Sequence, residues 1–180
     1  RWRAANPGAP EPRVRWHPFQ LNPDLPDEGM SRADYLERKF GTPDPAAIYQ
    51  RVGAAARAGG LQPEFAKIAR QPNTLRAHAL IAAAAEAGGA ALQERMVETL
   101  FRAYFIEGAD LTSRATLAAL ARRAGLGEDA AAAVLDDDGD SAATRAGEAD
   151  ADARSLGVSR PWPPSANAPK IASQMAGSST

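Results

Sequence analysis

The sequence has no cysteine. That absence excludes disulfides, a cysteine nucleophile, iron–sulfur ligation and every zinc site built on thiolates. Histidine is almost as scarce, His17 and His78 being the only two, so a histidine-rich metal site is not expected. An excess of one charge is also missing. The formal net charge of -1 leaves no electrostatic footprint for nucleic acid or an anionic membrane, and neither is expected as a partner. The longest nearly unbroken apolar stretch, Ala77 to Ala85, contains His78 and is too short to cross a bilayer. The nucleotide-binding glycine fingerprints, the zinc-protease His-Glu pattern and the Gly-x-Ser-x-Gly elbow are absent too. No secretory signal precedes the first structured stretch, which fits a cytoplasmic setting.

What is present suits one ordinary domain, or one with part of another: 180 residues, 44% hydrophobic and 24% charged. Arg1 to Glu11 is basic and proline-interrupted and forms a lead-in. Val14 and Trp16 then alternate with Arg13, Arg15 and His17, a period of two that predicts a half-buried strand over about 13–17. Pro18, Pro23 and Pro26 turn the next stretch into an extended loop.

From Ser31 onward the pattern is helical. Ser31 with Asp34 predicts a capped helix through Tyr35, Leu36 and Phe40 that stops at Gly41. A second helix is expected from Asp44 to Arg57, ended by Gly59-Gly60. Leu61 to Gln71 could be a packed connection or one helical turn. Asn73 or Thr74 caps the next helix, Leu75 to about Ala87, closed by Gly88-Gly89. The strongest helix comes next, with Leu92, Met96, Val97, Leu100, Phe101, Tyr104 and Phe105 on one face. Thr112 is expected to cap a helix ending at Arg122, Arg123 and Gly125, and Glu128 to Leu135 forms another. A last, weaker helix is expected over 141–156, and the Pro- and Ser-rich residues 159–180 form a tail with no stable fold.

The run Asp136-Asp137-Asp138-Gly139-Asp140 invites a calcium reading. Placing Gly139 at the sixth position of a calcium loop puts Val134 first and Arg145 twelfth, neither an oxygen ligand of the required kind, so a solvated acidic turn is the better reading. The Met96–Phe105 stripe is read as core, and Arg13 and Arg15 as a solvated strand face. His78 is either a core-edge histidine or part of a cleft lining, and His17, at a strand end before a proline, is similarly poised.

Several segments together resemble a family. His17-Pro18-Phe19-Gln20-Leu21-Asn22-Pro23, running on to Pro26-Asp27-Glu28-Gly29-Met30, is similar to a stretch of the FrnE-type DsbA-like thioredoxin-fold oxidoreductases. So are Tyr35-Leu36-Glu37-Arg38-Lys39-Phe40-Gly41, Pro72-Asn73-Thr74-Leu75-Arg76-Ala77-His78, Leu100 to Gly108, and Ala153 to Val158. The resemblance implies an α/β family, the thioredoxin fold with a large helical insertion, of which this chain is mostly α with one strand and the insertion retained. It implies four stretches: residues 1–26 a sheet remnant, 27–138 the helical insertion, 139–158 a helix returning to the thioredoxin fold, and 159–180 the tail. The function implied is thiol–disulfide exchange on a thiol or disulfide substrate, with no cofactor. The family's Cys-x-x-Cys would precede Arg1, and residues 159–180 depart from its pattern. The expectation is therefore a truncated member with a frame-shifted end, inactive alone.

Two alternatives stand beside it. One is a glutathione-dependent 2-hydroxychromene-2-carboxylate isomerase, which needs no protein cysteine. The other is a non-enzymatic helical interaction module, self-associating through the unpaired strand edge around Trp16. No catalytic residue and no metal ligand is expected. The residues expected to line a substrate cleft are His17, Phe19, Asn22, Asn73 and His78.

Overall fold

Hydrogen bonding at Ser31 decides where the first helix begins. Its hydroxyl accepts from the Asp34 amide at 3.1 Å, the cap expected from the sequence, and donates to the Asp34 carboxylate at 2.6 Å. Helix α1 spans Arg32–Phe40 and ends at Gly41, whose φ of 71° lets its N–H return to the Glu37 carbonyl. The computed structural model describes residues 6–10, 14–42, 46–136, 147–149, 151 and 155. The expected helix over 141–156 falls mostly outside that set, although the described positions within it are helical. The tail 159–180, residues 137–140 of the acidic run, and residues 1–5 fall outside altogether.

Strand β1, Met30–Ser31, pairs antiparallel with β2, Arg70–Gln71, and the Arg32 amide extends the pairing to the Ala69 carbonyl at 2.8 Å. Gly29 makes this approach feasible. It has φ +67°, and a Cβ there would lie 2.5 Å from the Gln71 carbonyl oxygen, so only glycine fits. The sequence pattern contained no sign of this small sheet. Its second strand lies in the stretch 61–71, expected to be a packed connection or one helical turn, and a 3₁₀ turn does form there at Phe65–Lys67. Helix α2, Ala46–Ala58, lies between β1 and β2 in sequence.

Helix α3 spans Leu75–Arg102 but is broken where the glycine pair predicted an end: Gly88 has φ -147° and Gly89 φ +63°. A straight helix of that length would span about 42 Å. Tyr104, just past its end, nonetheless donates its hydroxyl to the carbonyl of Arg70, just before its start, at 3.2 Å. The chain therefore doubles back at the glycines. It continues through a π-helical turn, Ala103–Glu107, into α4, Arg114–Ala124, and α5, Glu128–Leu135. The cap of α4 is Ser113 rather than the expected Thr112, because the Thr112 amide and hydroxyl both turn to the Asp110 carboxylate, at 2.9 and 2.7 Å.

The core lies among α3, α4 and α5, with Leu80, Met96 and Leu117 fully buried and Ala84, Ala103 and Ala121 letting the helices approach. Phe101 departs from the expected core face. It is 54% exposed, its ring tilted 40° to that of Phe105 with centroids 5.7 Å apart.

The strand expected over 13–17 is not formed. Residues 14–20 join no ladder, and Arg13 lies outside the described residues. The reason is partnership: a strand needs a neighbour, and the groups that pair with Trp16 come from a side chain. Its N–H donates to Gln93 Oε1 at 3.2 Å and its carbonyl accepts from Gln93 Nε2 at 3.0 Å. One buried amide stands where a neighbouring strand would. The whole is a mostly helical chain with a minimal sheet, as the α/β reading with a retained helical insertion anticipated.

Candidate functional site

Two of the five expected cleft residues meet at one turn. The Leu25 amide donates to the Asn22 carbonyl at 3.3 Å, and the Leu25 carbonyl accepts from Asn73 Nδ2 at 2.7 Å. Asn73 Oδ1 in turn accepts from Gln20 Nε2 and from the Leu75 amide, both at 3.0 Å. Asn73 thus ties the loop over 20–25 to the first turn of α3 and satisfies one of that helix's free N–H groups. The side chain of Asn22 accepts from the Tyr35 hydroxyl at 3.3 Å, and Lys39 donates to the same hydroxyl at 2.6 Å. Both asparagines hold the loop in place.

The other three are not joined to that turn by any of these bonds. Phe19 is half-buried beside Gln20. His78, also half-buried, lies one turn into α3, its amide donating to the Thr74 carbonyl at 2.9 Å. His17 is exposed, next to Trp16.

Sequence reading passed over a second cluster centred on Arg32. Its guanidinium lies 5.5 Å from the Tyr35 ring centre and 5.3 Å from that of Tyr49, and donates to Gln71 Oε1 and the Tyr49 hydroxyl. Tyr104 donates to the Arg70 carbonyl and contacts Gln71 Oε1 at 3.3 Å. Tyr49 stacks on Phe65 at 4.7 Å, and Phe65 meets Phe105 edge-on at 6.5 Å. Burial pushes Tyr104 up to about 12, outweighing the opposing pull of Arg32, and burial raises Tyr49 as well. Both phenols remain protonated at neutral pH. Tyr104 acts as a hydrogen-bond donor, and the Tyr49 hydroxyl accepts from Arg32.

Gln93 and Gln20 were also missed, although Gln93 carried a signal. It precedes Val97 by four residues and Leu100 by seven, which puts a polar amide on an apolar stripe. Such a residue needs a buried partner, here Trp16.

Chemically, this arrangement can position backbone and hold a loop against a helix. Among the described residues, no group of three or more His, Cys, Asp or Glu could hold a metal ion, and no helix is long and apolar enough to cross a membrane. A groove of about 370 Å³ lies elsewhere, between α4 and α5, lined by Arg114, Ala118, Arg122, Leu126 and Leu135, and none of the five expected residues borders it.

No curated protein sequence matches the chain. A solved structure described as a probable DsbA oxidoreductase from Streptomyces coelicolor matches with TM-score 0.64 and 26% identity, covering 78% of this chain and 60% of that one. The chain thus spans less than two thirds of that protein's length. The family model for the DSBA-like thioredoxin domain matches residues 2–159. With that match over most of its length, and the helical architecture shared with the solved oxidoreductase, the chain belongs to the DSBA-like thioredoxin domain family.

Proposed function

We propose that this chain is the strand-loop and helical portion of a FrnE-type DsbA-like protein disulfide oxidoreductase, working in the cytoplasm, whose substrates are thiols and disulfides. The observation that carries the reading is the family match over residues 2–159, joined to the neighbouring probable DsbA oxidoreductase. In such exchange a thiolate attacks one sulfur of a disulfide and expels the other as a thiolate. The mixed disulfide formed is then resolved by a second thiol. These 180 residues contain no sulfhydryl to start or finish that sequence. Their part is to build one wall of the substrate cleft, with the Asn73 latch fixing the loop that carries Phe19 and Asn22. By itself the chain is inactive. Dithiol-driven reduction of a model disulfide should proceed at the buffer rate in its presence, and any rate above buffer would overturn this reading.

The absence of cysteine also suits a glutathione-dependent isomerase, in which bound glutathione supplies the sulfur. A rise in melting temperature with added glutathione would favour that alternative, because a ligand that binds only the native state stabilises it.

A further inference from the structure

We draw no further inference here: the strongest candidate, the groove between α4 and α5 lined by Arg114, Ala118, Arg122 and Leu135, carries nothing because no observation in the structure shows what covers it.

Discussion

The two halves of the molecule are held together by different forces. Helices α3 to α5 enclose the fully buried Leu80, Met96 and Leu117, and their cohesion is apolar burial. The layer from residue 14 to 71 has little core of its own: Leu25, Tyr35 and Leu36 are buried and Ile68 joins the helical core, while Val14, Trp16, Leu21, Phe40, Val52 and Leu61 are exposed. That layer is joined to the helices by Ile68 and Phe65, which pack against the helical core, and by single amides and hydroxyls: Gln93 on Trp16, Asn73 on Gln20 and Leu25, Tyr104 on Arg70. Apolar burial is non-directional and tolerates small shifts, whereas each latch fixes one geometry and fails when one atom is removed. A chain built this way can keep its helical body while its strand-loop face is repositioned.

Substitutions should separate the two modes. The largest effect is expected from Leu80→Ala, which empties a fully buried position and should cost about 3 kcal/mol of global stability in chemical denaturation. Asn73→Ala should be smaller and local. It leaves the Leu25 carbonyl and the Leu75 amide without partners, costing about 1.5 kcal/mol, seen as faster amide exchange over 20–25 with the exchange of α4 unchanged. A change of equal size in α4 would mean that the two regions are one cooperative unit.

Tyr104→Phe is expected to matter least at neutral pH and to show its effect in alkali. Because the folded-state value is raised from 10.0 to about 12, the unfolded chain ionises first. The neutral phenol's contribution is complete below pH 10 and is lost as pH climbs towards about 12. Denaturation midpoints should fall across that window in the parent, and fall less in Tyr104→Phe.

The same division governs what could be read from the sequence. Local chemistry was legible: the Ser31–Asp34 cap, the stop at Gly41, the break at Gly88-Gly89 and the bounds of α5 all come from residues within one helical turn. The family, and the predominance of helix, were legible as well. The short sheet was not, because two residues per strand carry no period and the pairing depends on Gly29 meeting Gln71 across a long stretch of chain. The strand over 13–17 was over-read for the converse reason. Alternation gives a strand its faces, but it cannot supply a neighbour, and Gln93 takes that place from 77 residues away. In the candidate site, Asn22 and Asn73 stood out through motif resemblance, yet the loop-to-helix bonds that fix their work could not be inferred from spacing. The Arg32 cluster was invisible for the same reason: Tyr49, Gln71 and Tyr104 come from three separate elements.

Native-state hydrogen exchange across the whole chain tests the central claim most directly, namely that an apolar helical body carries a separately latched face. The account predicts two tiers. Amides of α3, α4 and α5 should share the highest opening free energy, and those of Trp16, Leu25 and Arg32 should open at distinctly lower free energies without unfolding the helices. A single common opening free energy from residue 14 to residue 135 would contradict it.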